Sequence, residues 1–224
     1  MRLLLVKLSA LGDVIHALPT LRALREGLGA RVDWLVEEEQ ADLLRGHPLI
    51  DRLLVCPRRR WLRELRRGEV RGVVRELAGF LRELRAVEYG VVLDLQGLLK
   101  SALWTRLARA GRRVGLGTAR EGSAWVLDER VPCDLNLHAV DRYLTAARYL
   151  GAGVDGVSFV LGLTPQDQQR ADRLLWGMGR RLVALNPLTR WPSKRWGGFG
   201  RLCRLLVADG WRVVLVGADR RALE

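Results

Sequence analysis

Short apolar runs alternating with segments of helical spacing constrain this chain more than any other feature. "RLLLVKL" (2–8), "RVDWLVEE" (31–38), "DRLLVC" (51–56), "GVVLDL" (90–95) and "RRVGL" (112–116) are Leu- or Val-rich and bounded by turn residues, as strands are. Between them lie "IHALPTLRALREGL", "WLRELRRGEVRGVVRELAGFLRELR" and "GLLKSALWTRLARA", whose apolar residues recur at helical intervals, and "NLHAVDRYLTAARYLGA" follows the last strand. Runs buried on both faces and joined by helices predict an α/β fold with a parallel sheet covered on each side. Pro19 removes the donor that the Ile15 carbonyl needs, so the first turn after the first strand is expected as a separate short piece.

From 151 to 165 the texture changes to the Gly-rich "GAGVDGVSFVLGLTP". A helix is predicted next, with Thr164 as N-cap, Pro165 at the first helical position and Asp167 in the first turn. "RRLVALNP", "RWGGFGRLCRLLVADG" and "WRVVLVGADR" then read as strand, helix and strand, the opening of a second parallel unit. The expected organisation is a first α/β domain over 1–154, a linker and connecting helix over 155–179, and the beginning of a second Rossmann-like domain over 180–224.

Charge narrows the partners. The formal net charge is +13, which suits an anionic partner such as nucleic acid, anionic lipid or a phosphorylated substrate. Much of it is interleaved with Glu, the pattern of a solvated helix face. No helix-turn-helix, zinc-finger, RNP or KH signature supports nucleic acid. No apolar run approaches the ~18 residues of a membrane span, and the N-terminus lacks a signal-peptide pattern, so the chain is expected in the cytoplasm. Cys56, Cys133 and Cys203 lack CxxC spacing, so neither a disulfide framework nor a metal site is expected. Of 38 basic residues only Lys7, Lys100 and Lys194 are lysines. Chance explains that, or a need for a compact ammonium at those three places.

Ligands of open α/β sheets sit beyond the carboxyl ends of the strands, and four such ends carry polar clusters. They are "KLSALGD" with Lys7, Ser9 and Asp13; "LDLQGLLKSAL" with Asp94, Gln96 and Lys100; "GLGTAREG" with Thr118, Arg120 and Glu121; and "NPLTRWPSKRW" with Asn186, Thr189, Arg190, Lys194 and Trp196. All three lysines fall inside these clusters or at their edge. Each cluster also has a plainer reading. Asp13 suits a helix cap as well as a base, His16 suits packing at a helix start, and Asp94 suits a satisfied structural carboxylate. "RRRW" (58–61) reads as a surface turn or as an anion site. No P-loop, HExxH or Ser–His elbow is present, and the glycines of "GLGTAREG" do not match a dinucleotide fingerprint. From the residues alone, a carboxylate on the first domain and cationic groups elsewhere suit group transfer.

"VKLSALGDVIHALPTL", "VVLDLQGLLKSAL", "TAREG" and "NPLTRWPSKRWGGFGRLCRLLVADGWRVVLVGA" together resemble the bacterial ADP-heptose:lipopolysaccharide heptosyltransferases, glycosyltransferase family 9, with most likeness to the heptosyltransferase I branch. The resemblance implies a GT-B enzyme of two Rossmann-like domains, the first binding acceptor and the second the sugar nucleotide. It implies an inverting transfer of heptose from ADP-heptose to the Kdo region of lipid A, without metal or other cofactor. Asp13 then matches the general base, and Thr189, Lys194 and Asn186 match the donor diphosphate side, Lys194 counting as catalytic. Lys7, Ser9, Gly12, Gln96 and Lys100 fall to the acceptor side, and Arg59, Arg60 and Arg120 would face its anionic groups. The implied partners are ADP-heptose, a Kdo-lipid A acceptor and, peripherally, the anionic inner-membrane surface, with no nucleic acid. Family members carry a further Asp-Thr/Ser-Gly…His stretch that holds the donor, and this chain has none, so weak or absent transfer by the chain alone is expected. The alternative is a non-catalytic basic domain that binds anionic lipid or nucleic acid.

Overall fold

The structure, a computed structural model, describes residues 1–189 and 192–217. Two compact units divide at Leu163/Thr164. Arg190, one member of the fourth polar cluster, lies outside the described residues.

The first unit is built on six parallel strands: β1 (Arg2–Val6), β2 (Arg31–Glu37), β3 (Arg52–Cys56), β4 (Glu88–Asp94), β5 (Arg109–Leu116) and β6 (Glu129–Val131), in the order β3-β2-β1-β4-β5-β6. The central strand β1 pairs with β2 on one side and β4 on the other. Side chains alternate across a strand, so β1 sends Leu3 and Leu5 to one core and Leu4 and Val6 to the other, all with no solvent exposure. Helices α1 (Leu11–His16), α2 (Leu18–Arg22) and α6 (Ala139–Tyr149) cover the first face through Leu18, Leu21, Tyr143 and Leu144. Helices α3 (Arg58–Arg66), α4 (Val70–Arg85) and α5 (Leu99–Leu107) cover the second through Trp61, Phe80, Leu84 and Trp104. The expected α/β parallel-sheet class is the one adopted.

The break at Pro19 occurs as expected: α1 ends at His16, and α2 restarts with Pro19 in its first turn, where the missing N–H costs nothing. Two local expectations are corrected. The run 61–85 is two helices, because Gly68 adopts φ +84° and its N–H closes on the Leu65 carbonyl at 3.0 Å, a left-handed helix end. The helical reading of 97–110 runs too far, since Arg109 and Ala110 already pair with Glu88 and Tyr89 in β5. Strand β6 was not foreseen, because three residues are too few to show a period.

The second unit holds α7 (Pro165–Leu175), β7 (Leu182–Leu185), α8 (Phe199–Ala208) and β8 (Arg212–Leu215), with β7 and β8 parallel. The cap of α7 is as expected: Thr164 Oγ1 accepts from the Asp167 N–H at 3.2 Å, and Asp167 Oδ2 accepts from the Thr164 N–H at 2.9 Å. None of this unit's described residues is buried. Residues 155–163, read as linker, pack with the first unit, where the Val160 carbonyl lies 2.9 Å from His47 Nε2.

Candidate active site

The strand order reverses direction between β1 and β4, and a crevice lies beyond the carboxyl ends of these strands. Lys7 and Asp13 follow β1, Gln96–Leu98 follow β4, Gly117–Arg120 follow β5, and Arg142 and Tyr143 of α6 close the far side of a cavity of about 620 Å³.

Lys7 is 3% exposed. Its Nζ donates to the Tyr143 hydroxyl at 2.8 Å and to the Leu95 carbonyl at 3.2 Å, and lies 4.8 Å from the Tyr143 ring centroid. Burial pulls its pKa down to about 8, against the opposing pull of Asp13 and Asp94. The same burial pushes the Tyr143 phenol up to about 12, so it stays protonated beside the amine.

Asp94 ends β4 fully buried, and desolvation raises its pKa although the Gly97 and Gln96 N–H groups donate to it. Those bonds, 3.0 and 2.8 Å long, fold the loop after β4. Gln96 Oε1 accepts from the N–H groups of Leu8 and Ser9 at 3.2 and 3.1 Å, which ties the two exit loops together. The structural reading of Asp94 is therefore the one its surroundings support, and Gln96 both lines the cavity and holds its wall.

Asp13 stands at the third position of α1, half-buried. Its Oδ2 accepts from the Ala10 N–H at 3.2 Å, so it caps the helix. Oδ1 has no hydrogen-bond partner among the described residues, and Asp13 lines the cavity. Cap and base are thus compatible on one side chain. His16 lies outside the cavity lining and packs edge-on against His138, with centroids 4.9 Å apart.

The remaining acceptor-side candidates sit elsewhere. Lys100 Nζ binds the Ser9 hydroxyl and stands 3.5 Å from Glu37 Oε1. Glu37, with no solvent exposure, also takes Arg58 at 2.8 Å and Arg59 at 3.8 Å. Arg60 is held by Glu76 at 2.9 Å, Glu64 at 3.3 Å and Glu38 at 3.5 Å, and the Glu76 hydrogen bond is the main cause of its raised pKa. "RRRW" is thus the first turn of α3, its guanidinia already facing carboxylates. Gly12 is exposed on α1. The structure therefore brings together Lys7, Asp13, Gln96 and Arg120, and sets Ser9, Lys100, Arg59 and Arg60 outside that cavity. Arg142, Tyr143 and Glu37 were not singled out from sequence. Tyr143 meets Lys7 across 136 positions, and no local spacing signals such a contact.

In the second unit, Asn186 follows β7 and its Oδ1 accepts from the Leu188 N–H at 3.1 Å, a turn that presents the next residues. Thr189 comes next, and Lys194 ends the short 3₁₀ turn Pro192–Lys194, exposed before α8. Among the described residues, no group of three or more His, Cys, Asp or Glu is arranged to hold a metal ion.

The model of glycosyltransferase family 9 (heptosyltransferase) matches residues 77–224. This chain belongs to glycosyltransferase family 9. It is 42% identical over 150 residues to lipopolysaccharide heptosyltransferase 1 of Pseudomonas aeruginosa, covering 63% of this chain and 40% of that protein. It is 34% identical over 228 residues to lipopolysaccharide heptosyltransferase 1 of Escherichia coli K12, covering 96% and 67%. This family 9 chain thus spans well under half of one relative and about two thirds of the other. The solved E. coli heptosyltransferase WaaC with ADP-2-deoxy-2-fluoro heptose superimposes with a TM-score of 0.79 at 30% identity, over 99% of this chain and 70% of that one. E. coli ADP-heptose lps heptosyltransferase II, at 20% identity and TM-score 0.71, shares the fold. No helix among the described residues of this family 9 chain is long and apolar enough to cross a membrane.

Proposed function

We propose that this chain carries the acceptor side of an inverting, metal-independent heptosyltransferase of the heptosyltransferase I kind, which moves heptose from ADP-heptose to the Kdo region of lipid A. The observation that carries this reading is the Asp13 carboxylate, its Oδ1 unengaged, in a cavity whose other charged groups are Lys7, Arg120 and Arg142. Three cations around one carboxylate suit an anionic sugar acid whose hydroxyl must lose a proton.

In this mechanism Asp13 takes the proton of the acceptor hydroxyl as its oxygen attacks the anomeric carbon. The new C–O bond forms opposite the breaking bond, so one displacement inverts the centre, and ADP departs with the electron pair. Lys194, Thr189 and Asn186 meet the diphosphate, where a compact ammonium offsets developing charge. Lys7, Gln96 and Arg120 orient the acceptor, and the other acceptor-side candidates, Ser9, Gly12, Lys100, Arg59 and Arg60, lie outside that cavity. The likeness to the E. coli enzyme described with an ADP-heptose analogue supports the donor assignment. An acceptor of this kind places the work at the cytoplasmic face of an anionic membrane, and the +13 charge agrees with that.

The test is ADP release from ADP-heptose with Kdo-lipid A as acceptor. Asp13→Ala should lower transfer by about 10²–10⁴-fold while acceptor binding changes little. Transfer that survives Asp13→Ala sinks the base assignment. Binding of RNA or of simple anionic lipid as tightly as of Kdo-lipid A, with no transfer, favours the non-catalytic alternative.

A further inference from the structure

Beside the cavity runs a second, larger depression of about 920 Å³ between α3, α5 and the loop after β5. Trp61 and Trp104 line its floor, backed by Phe80, with the three ring centroids 5.1 to 6.4 Å apart. Its walls are apolar yet open to solvent. Leu62 is 44% exposed, Leu65 42%, Leu99 63%, Leu103 52% and Trp125 93%. Five large apolar side chains left wet in one groove form a contiguous patch of the kind that marks an interaction surface.

Two observations say what covers it. The first is charge. Residues 58–85, which form α3, α4 and their turn, hold ten arginines against four glutamates. Arg58, Arg59 and Arg60 are engaged by carboxylates, but Arg63, Arg66 and Arg67 are exposed and make no ion pair among the described residues. On α3, Trp61, Leu62 and Leu65 form one stripe and Arg59, Arg63 and Arg66 the adjacent one, which is the layout of a helix lying in a lipid interface. The second is continuity with the cavity. Leu98 lines both depressions, and the loop that carries Arg120 into the cavity carries Glu121, Gly122 and Trp125 along the groove. A lipid whose anionic headgroup enters the cavity therefore has its apolar part next to the groove.

We propose that the α3–α5–Trp125 groove is the membrane-docking surface of this chain: it seats on an anionic bilayer, with Trp125, Leu62, Leu65, Leu99 and Leu103 entering the interface and the α3 arginines meeting lipid phosphates. This deepens the proposed function and rests on it for the placing of a lipid headgroup in the cavity. The bilayer contact itself stands without catalysis. An indole is well suited to that boundary, apolar in its ring and a donor at its edge.

Sedimentation of the 224-residue chain with vesicles of phosphatidylglycerol and phosphatidylcholine tests it. Binding to the anionic mixture should exceed binding to pure phosphatidylcholine by at least about tenfold and weaken with salt. Trp125→Ala combined with Leu62→Gln should lower it roughly tenfold. Both side chains are exposed, so the variant should fold, which a circular dichroism melt verifies. Trp176→Ala, at a residue 88% exposed in the second unit, should bind like the wild type. Lipids brominated along the acyl chain should quench Trp125, so Trp125→Phe should bind while losing that share of the quenching. Equal binding by the groove variants and the wild type, or no preference for anionic vesicles, overturns the proposal. So does a change of oligomeric state with Trp125→Ala in place of lost vesicle binding, because the groove would then seat a second copy. Asp13→Ala separates the two readings: vesicle binding retained without transfer speaks to the cavity, and transfer retained without groove-dependent binding speaks against the groove.

Discussion

The amine of Lys7 and the phenol of Tyr143 meet at 2.8 Å inside the cavity wall, with the amine pulled down from 10.5 to about 8 by burial. A lysine in an unfolded chain keeps its proton until the higher value, so between these two pH values the unfolded state holds more protons. Stability therefore rises with pH through that window, and the Lys7 contribution is least favourable below pH 8.

That titration is directly observable. Reductive methylation with a carbon-13 label marks Lys7, Lys100, Lys194 and the N-terminus, and Lys7 should titrate near pH 8. The stability difference between wild type and Lys7→Met should grow by at most about 3 kcal/mol from pH 7.5 to 10. A methylated Lys7 that titrates above pH 10 contradicts the burial argument.

Glu37 is a buried carboxylate facing Arg58, Arg59 and Lys100. Glu37→Gln keeps the shape and removes the charge that those cations share. The expected cost is about 3 kcal/mol in urea unfolding. Adding Lys100→Met should recover part of it, because one uncompensated cation is removed. Strict additivity of the two changes would mean that they do not interact.

Two glycines offer a paired comparison. A Cβ on Gly27 would stand 2.2 Å from the Gly153 carbonyl oxygen, whereas one on Gly12 meets nothing within 4 Å. Gly27→Ala should cost about 2 kcal/mol or more because backbone must move. Gly12→Ala, inside α1, should be neutral or stabilising by up to about 1 kcal/mol. Thermal melts of the two variants decide it.

No described residue of the second unit is buried, so its helices and two-strand sheet have little packing to hold them. Hydrogen exchange should be fast over α7, α8 and β7–β8 and slow in β1, β2 and β4. Trypsin should cut first between 164 and 217. First cuts inside the six-stranded sheet would contradict this order.

The sequence by itself determined the parallel α/β class, the break at Pro19, the Thr164–Asp167 cap and the four polar strand ends. Each of these is written in local periodicity or in the chemistry of one turn. The family resemblance was equally legible, because motifs keep their order along a chain. Only the tertiary structure decided which polar residues share a cavity. Lys7, Asp13, Gln96 and Arg120 converge because β1, β4 and β5 are neighbours in the sheet, a fact of strand order that no local spacing encodes. It also drew in Arg142 and Tyr143 from a helix that read only as cover, and gave the Arg58–Arg60 cluster to glutamates on neighbouring elements. Charge on a sequence is a count; which charge is left to meet a ligand depends on what folding places beside it.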